Sequence, residues 1–343
     1  MAGRIASPLL IGRDDELALL ARGYDEAAGG RGSTVLIGGE AGIGKSRLLA
    51  AAFDVARRDE AVVLLGGAVG LADGAMPFAP IVEALRPLVR MVDDEAAAPE
   101  VSARVREAFA VVADELGLGG VTRAQGAGIA ELRPDWARGR LYESVLELMR
   151  RLAVERPVVL AIEDLHWADE STRELLLFLV RNARAERLLL IGTFRSDELH
   201  RRHPLLPWLA EVDRAPGTQR VELHRLGRHD VERQLGEILG AVPRPDLVDA
   251  VFARSEGNPF YAEELIASGV ASQRLPTTLR EVLSARLAVV SDTTLRVLGV
   301  AAIAGRRVDH QLLLNVAGVP EAALLDALRE ATAAQLLTAD DLA

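Results

Sequence analysis

The stretch Ile37–Leu48 reads Ile-Gly-Gly-Glu-Ala-Gly-Ile-Gly-Lys-Ser-Arg-Leu. Within it, Gly39, Gly44, Lys45 and Ser46 have the spacing of a phosphate-binding loop, G-x-x-x-x-G-K-[S/T]. The backbone N–H groups of such a loop turn inward around a polyphosphate, and a Cβ at the tightest positions would obstruct that turn. The spacing therefore predicts a site for the phosphates of a nucleoside triphosphate.

Two side chains of this loop carry charge or metal chemistry. Lys45 is the only lysine among 40 basic residues, and its ammonium would reach the β- and γ-phosphate oxygens. The hydroxyl of Ser46 can ligate Mg²⁺. As a loop side chain, Lys45 is expected to be exposed. The candidate nucleotide-binding residues here are Gly39, Glu40, Ala41, Gly42, Ile43, Gly44, Lys45, Ser46 and Arg47.

The flanking sequence fits the same interpretation. Residues 34–37 form a short apolar, β-branched run, which is typical of a buried parallel strand. After Ser46, apolar residues recur at helical spacing at Leu48, Leu49, Ala52 and Phe53. The loop is therefore predicted to connect a strand to a helix, whose N-terminal partial positive charge would face the phosphates.

Composition limits the other classes of function. The chain has 343 residues, half of them hydrophobic, which is enough for two or three domains with real cores. A net charge of −10 disfavours a large nucleic-acid surface. The absence of cysteine excludes disulfides, thiol nucleophiles and Cys-ligated zinc. No apolar run approaches the ~18 residues of a membrane span. The apolar patch Ile5–Ile11 is broken by Pro8 and followed by acidic residues, which does not fit a signal peptide, so we expect a cytoplasmic protein with no membrane contact.

A second informative stretch is Pro157–Asp164, an apolar strand that ends in the acid pair Glu163 and Asp164. One acid could hold Mg²⁺ and its neighbour could polarise the attacking water. Side chains alternate along a strand, so an adjacent pair can divide these two tasks. The alternative is a strand that runs into an acidic turn, with Asp169 as the N-cap of a helix over Glu170–Asn182.

The strand predicted over 188–193 ends in Thr193, followed closely by Arg195. Ligands of parallel α/β sheets bind at the carboxyl ends of the strands, so both residues are expected to face the phosphates. Arg195 could stabilise charge on the γ-phosphate, and an ordinary surface ion pair is the alternative. Further strands are expected at 61–65 and 220–223.

The sequence after Leu226 is predicted to be helical, without internal repeats. Gly257, Asn258 and Pro259 lie between two of the predicted helices. Asn258 as N-cap and Pro259 as the first helical residue explain this tripeptide without any ligand.

Taken together, these motifs resemble a STAND-class signal-transduction ATPase. The closest likeness is to the nucleotide-binding part of large ATP-binding LuxR-type transcriptional regulators, and it extends over nearly the whole chain. The matching phrases are Gly12-Arg13-x-x-Glu16-Leu17, the phosphate loop, Glu163 to Asp169, Thr193-x-Arg195 and Gly257-Asn258-Pro259-Phe260.

The resemblance implies an α/β P-loop NTPase with a parallel five-stranded sheet in the order 5-1-4-3-2. An all-α helical domain and a winged-helix domain would follow, with domains at 1–225, 226–275 and 276–343. It also implies that Arg13 lies near the adenine, that Arg195 senses the γ-phosphate, and that Pro259 brings the helical domain against the base. Much of the class has Asp first in the acid pair, whereas this chain has Glu163.

The function expected from these features is an ATP-binding regulatory switch with weak Mg²⁺-dependent hydrolysis. ATP or ADP and Mg²⁺ are the expected ligands, with Ser46 and Glu163 on the metal and Asp164, Glu163 and Arg195 in catalysis. Self-association, or sensor and output domains outside this chain, would carry the signal, and this chain would not itself bind DNA sequence-specifically.

Two rival functions remain open at this stage. A DNA-remodelling or replication-initiator AAA ATPase would need a basic face on its winged helix, for which Arg306 and Arg307 are the candidates. A metabolic kinase would need a second substrate, and the long helical region downstream of the sheet argues against it.

Overall fold

The computed structural model describes residues 7–69, 77–93, 103–117, 134–267, 284, 287–304, 308, 310–334 and 336–337. The chain divides into two compact units. One comprises Leu10–His224, and the other comprises the residues on either side of it, up to Leu9 and from Arg225 onward.

The first unit is built on a parallel five-stranded sheet. Its strands are β1 (Ser33–Gly39), β2 (Val62–Gly67), β3 (Val158–Glu163), β4 (Leu188–Thr193) and β5 (Thr218–Leu223). The spatial order is β2-β3-β4-β1-β5, and all four neighbouring pairs are parallel. The order 5-1-4-3-2 implied by the resemblance is confirmed. β1 therefore lies between β4 and the outer strand β5, and the loop that follows it begins at the carboxyl end of the sheet.

Seven helices of this unit lie within the described ranges. They are α1 (Asp14–Ala28), α2 (Lys45–Arg58), α3 (Ala79–Asp93), α4 (Ala103–Glu115), α5 (Pro134–Glu155), α6 (Glu170–Asn182) and α7 (Leu205–Val212). A short 3₁₀ turn over Leu165–Trp167 follows β3. The helix expected over Glu170–Asn182 is confirmed together with its cap, because Asp169 accepts a hydrogen bond of 3.0 Å from the N–H of Thr172.

Two apolar cores cover the two faces of the sheet, and alternate strand residues enter opposite cores. In β3, Val159 and Ala161 pack with residues of α1 and α2, whereas Leu160 and Ile162 pack with residues of α3 to α7. β1 divides in the same way. This period of two is what a strand buried on both faces requires, and it explains why the strands read as continuous apolar runs.

The second unit is helical in the part that the structure describes. Its helices are α8 (Arg228–Leu239), α9 (Pro245–Ser255), α10 (Pro259–Ala267), α11 (Asp292–Ala304), α12 (His310–Val316) and α13 (Glu321–Ala333). α8 to α10 share one apolar core and α11 to α13 share another. The predicted cap of α10 is confirmed, since Asn258 Oδ1 accepts from the N–H groups of Phe260 and Tyr261 at 3.1 and 3.4 Å.

Part of the predicted winged-helix domain lies outside the described residues. This applies to residues 268–283, at the expected boundary between the helical and winged-helix domains, and to Arg306 and Arg307. The division at 275 and 276 therefore stays a prediction. Among the helices of the described ranges, none is both long enough and apolar enough to cross a bilayer.

Candidate functional site

The phosphate-loop motif forms a tight loop between β1 and α2. Gly39, Gly42 and Gly44 have φ values of 149°, 76° and 105°, in the region that side chains with a Cβ rarely adopt. Gly44 is the N-cap of α2, and Lys45 is its first residue. The glycines thus permit the turn that sends the chain from the sheet edge into a helix N-terminus, where backbone N–H groups are unpaired.

Lys45 is buried, with 8% of its surface exposed, so the expectation of an exposed side chain is wrong. Its Nζ donates hydrogen bonds to the carbonyl oxygens of Gly39 and Glu40 at 2.6 and 2.9 Å, because the loop folds back over its own lysine. Burial lowers the pKa of Lys45, and nearby carboxylates oppose this shift only in part. A phosphate in the loop would accept hydrogen bonds from Nζ in place of the two carbonyls.

The first turn of α2 meets the end of β3. The hydroxyl of Ser46 donates a hydrogen bond to the carboxylate of Glu163, the last residue of that strand. Ser46 is exposed and Glu163 is half-buried, so both oxygens can be reached from solvent. The structure therefore brings together the two residues that the sequence predicted as metal ligands.

These two residues fit Mg²⁺. A hydroxyl and a carboxylate are hard oxygen donors, and protein sites for Mg²⁺ usually supply one or two ligands and leave the rest to water and substrate phosphates. No group of three or more His, Asp or Glu side chains within the described ranges could hold a metal by itself. Ser46 and Glu163 would thus share Mg²⁺ with the nucleotide.

Asp164 is turned away from Glu163 by its backbone. Its φ of 56° is left-handed, a conformation that Asp tolerates better than most residues. Its N–H donates to Thr193 Oγ1 at 3.1 Å, which joins the ends of β3 and β4. Its Oδ1 lies 3.9 Å from Arg195 Nε. The two acids of the pair consequently face different groups, but the cause is the left-handed backbone of Asp164 after the end of β3 and not the alternation of side chains along the strand.

Arg195 follows β4 and is 26% exposed at its side chain. Its Nη1 pairs with Glu198 Oε1 at 2.5 Å, and its guanidinium carbon lies 4.8 Å from the centre of the Trp167 ring. The ion-pair alternative is therefore seen. Because the same guanidinium approaches Asp164, its location also remains compatible with contact to a phosphate.

Three further acidic or basic residues surround this site, and the sequence predicted no role for any of them. They are Asp197, Glu222 and His166. Burial raises the pKa of Asp197, an effect that the backbone N–H of Ala41 partly offsets, and its Oδ1 has no hydrogen-bond partner among the described residues. Glu222 accepts a hydrogen bond from the hydroxyl of Ser196. The available signal was position: Asp197 lies in the segment after β4, Glu222 lies near the end of β5, and His166 lies in the turn after β3, and these parallel strands end on the same side of the sheet as β1.

Arg13 is buried and has backbone partners in two other segments. Its Nη2 donates to the carbonyl oxygens of Ile43 in the phosphate loop and His224 after β5, at 3.2 and 2.5 Å. Its Nη1 pairs with Glu16 at 3.4 Å. These bonds tie the start of α1 to the loop and to the end of the sheet unit. The role beside adenine stays a prediction.

The remaining predicted residues occupy simpler positions. Glu40 and Ala41 are half-buried in the loop, and Arg47 is half-buried in the first turn of α2. Pro259 belongs to the second unit, where it begins α10 and its carbonyl accepts a hydrogen bond of 3.0 Å from Gln234. Its proximity to the base is not tested by these contacts.

A known protein family covers the part of the chain that contains the phosphate loop and the acid pair. The family model of the AAA ATPase domain matches residues 9–191, more than half of the chain. The chain belongs to the AAA ATPase domain family.

The individual proteins that resemble this chain do so at low sequence identity. Over 344 residues the chain is 29% identical to an uncharacterized protein, R02095, of Rhizobium meliloti (strain 1021); the match covers 91% of this chain and 31% of that protein. The chain thus spans less than two thirds of the relative it matches.

Two solved structures are similar at 15% identity. One is a signal transduction ATPase with numerous domains (STAND) and a tetratricopeptide repeat sensor from Pyrococcus horikoshii, with a TM-score of 0.46 over 96% of this chain and 40% of that chain. The other is a RuvB variant from Thermotoga maritima, with a TM-score of 0.41 over 93% and 85%.

Proposed function

We propose that the chain is an ATP-binding regulatory switch that hydrolyses ATP slowly with Mg²⁺. The observation that carries this proposal is the hydrogen bond between Ser46 and Glu163, made by the residue that follows the buried Lys45 of the phosphate loop. An NTPase needs a metal-ligating hydroxyl, a metal-side acid and a phosphate-binding lysine in one place. The sheet order and the loop glycines support this proposal, because they bring Ser46 and Glu163 together at the start of the helix that Lys45 begins.

Each residue has a distinct task in this proposal. The loop N–H groups and Lys45 hold the phosphates, and Ser46 and Glu163 hold the metal. Mg²⁺, when bound, would neutralise charge that develops on the β- and γ-phosphate oxygens. Asp164 would accept a proton from the attacking water, and Arg195 would stabilise negative charge on the γ-phosphate.

The regulatory part of the proposal rests on the resemblance to STAND-class and LuxR-type ATPases. We propose that self-association, or further domains and partners outside this chain, convert the nucleotide state into a signalling or transcription output. The length of the relative R02095, of which this chain spans 31%, supports a module that works within a larger protein.

The binding and hydrolysis steps can be tested together by calorimetry and single-turnover kinetics. Wild-type protein should bind ATP more tightly with Mg²⁺ than without it. It should also hydrolyse ATP to ADP and inorganic phosphate without any added acceptor. A requirement for an acceptor would indicate a kinase instead. Failure to bind ATP, in protein shown to be folded by circular dichroism, would refute the proposal.

The switching step needs a separate measurement. Small-angle scattering profiles of the protein with ADP and with a non-hydrolysable ATP analogue should differ, and the difference should disappear in Arg195→Ala. A ligand shifts a conformational equilibrium only by its difference in affinity for the two states, so the γ-phosphate contact is the expected cause. Identical profiles for the two nucleotides would contradict a switch of this kind.

A further inference from the structure

Glu198 lies three residues after Arg195, and its carboxylate contacts two functional groups at once. Oε1 pairs with Arg195 Nη1 at 2.5 Å, and Oε2 lies 3.3 Å from Nε2 of His166. Three quarters of the Glu198 side chain is shielded from solvent. The carboxylate of Glu198 is therefore bonded to Arg195 and lies close to the buried Nε2 of His166, which makes no hydrogen bond to the described residues.

His166 can donate a hydrogen bond to Glu198 in only one tautomer of its ring. The backbone N–H of Arg195 donates to Nδ1 of His166 at 3.3 Å, so Nδ1 is an acceptor. The ring proton of the neutral imidazole must then be on Nε2, the atom that faces Glu198. The His166 side chain is fully buried, and burial lowers its pKa to about 3, which keeps the ring neutral.

The other contacts of Arg195 leave part of its guanidinium group available to a ligand. The guanidinium stacks over Trp167, and its Nε side faces Asp164 at 3.9 Å. Nη2 makes no hydrogen bond to the described residues. Glu198 thus holds one side of the Arg195 guanidinium, while the other side faces Asp164.

We propose that Glu198 is a positioning residue that orients Arg195 toward the terminal phosphate of ATP, and that the buried Nε2–H of His166, which has no partner among the described residues and lies 3.3 Å from Glu198, stabilises that position of the carboxylate. This inference rests on the proposed ATP site. In this arrangement the oriented guanidinium of Arg195 contacts the γ-phosphate of ATP, whereas ADP has no γ-phosphate for it to contact. Glu198 therefore contributes to the discrimination between the two nucleotides without contacting either of them.

Calorimetry on Glu198→Ala and Glu198→Gln tests this directly. Loss of an oriented, charge-assisted contact should weaken binding of a non-hydrolysable ATP analogue by about 10-fold or more. The affinity for ADP should stay within about 2-fold, because ADP offers no γ-phosphate. Glu211→Ala, which removes an exposed ion pair with Arg181, is the matched control and should change neither affinity.

Variants of His166 separate positioning from simple loss of packing. Gln can present an N–H near the place of Nε2, whereas Asn can replace only the acceptor at Nδ1. His166→Gln should therefore keep more of the analogue-to-ADP affinity ratio than His166→Asn. Equal ratios in the two variants, with both folded, would remove His166 from the proposal.

The fluorescence of Trp167 gives a readout that does not depend on hydrolysis. Because Arg195 stacks on this ring, the ATP analogue should change the emission of wild-type protein more than ADP does. The change should be absent in Trp167→Phe and in Arg195→Ala.

The two proposals fail in different ways. If wild-type protein binds neither nucleotide, the ATP site itself is refuted. If it binds both and the Glu198 variants keep the wild-type affinity ratio, the positioning role is wrong. Tighter binding of the analogue by Glu198→Ala would also overturn it, because Glu198 would then restrain Arg195 instead of orienting it.

Discussion

Ser46 and Glu163 are hydrogen-bonded to each other although 117 residues separate them in the sequence. The contact exists because β4 alone lies between β1 and β3, so the helix that follows β1 begins near the end of β3. Asp164, the next residue, faces Arg195 instead. The geometry therefore favours Glu163 as the metal-side acid and Asp164 as the acid on the side of the attacking water.

The acid pair gives the first prediction. Asp164→Asn should keep ATP affinity but reduce single-turnover hydrolysis by about 100-fold or more, as expected when a general base is removed. Asn tolerates the left-handed backbone of this position, so the fold should be retained. Glu163→Gln should instead raise the Mg²⁺ concentration needed for tight ATP binding. Hydrolysis by Asp164→Asn at the wild-type rate would show that the two roles are assigned wrongly.

The second prediction concerns the loop lysine. Lys45→Ala should abolish detectable ATP binding in calorimetry, because the charge that meets the phosphates is lost. The buried ammonium also bonds two loop carbonyls, so the variant should lose up to about 3 kcal/mol of unfolding free energy and still fold. Urea unfolding measures this cost. ATP affinity equal to that of wild type in a folded variant would contradict the phosphate-loop interpretation.

The third prediction uses Lys45 as the only lysine of the chain. Burial lowers its pKa, so the neutral, reactive amine should form at a lower pH than in an ordinary lysine. Amine acylation followed by peptide mass spectrometry should show Lys45 reacting from this lower pH onward, and ATP should protect it. The control is a short unfolded peptide that contains Lys45 and its sequence neighbours, in which the lysine is not buried. Labelling that ATP leaves unchanged would place Lys45 outside the phosphate site.

The fourth prediction is a pH dependence of stability caused by His166. Its folded pKa is about 3, below the ordinary value of 6.5, because the ring is buried. Between these values the unfolded chain binds a proton that the folded chain does not, so stability falls as pH decreases from about 6.5. At pH 5 the loss should be on the order of 1–2 kcal/mol relative to pH 7.5.

Urea unfolding of wild type and His166→Asn at the two pH values isolates this contribution. The variant should lose less stability on acidification than wild type does, since other titrating groups are common to both. An imidazole of His166 that titrates near pH 6.5 in NMR spectra would show that the ring is not held neutral in the folded protein.

The fifth prediction is that this chain does not bind DNA sequence-specifically. Its net charge of −10 opposes the clustered positive surface that phosphate contacts require. In mobility-shift experiments at physiological salt, any complex should disappear with excess competitor DNA. A shift that survives competition would favour the DNA-remodelling alternative.

Several elements could be predicted from local sequence because their causes are local. Asp169 begins α6 and Asn258 caps α10 through side chains that bond the next residues, and such contacts need no distant partner. α7 was missed. Its apolar residues Leu205, Leu209 and Val212 have helical spacing, but the helix is short and contains Pro207, which disguises it.

Local sequence is enough to predict the phosphate loop, the identity of the acid pair and the run of strands and helices, because spacing, glycine conformation and hydrophobic period are properties of neighbouring residues. The exposure of Lys45 was predicted wrongly for the same reason, since its burial depends on how the loop folds back. The contact between Ser46 and Glu163, and the approach of His166 to Glu198, could be seen only in the folded domain. Those contacts join residues from different strand ends, and strand order in a sheet is set by packing of the whole domain.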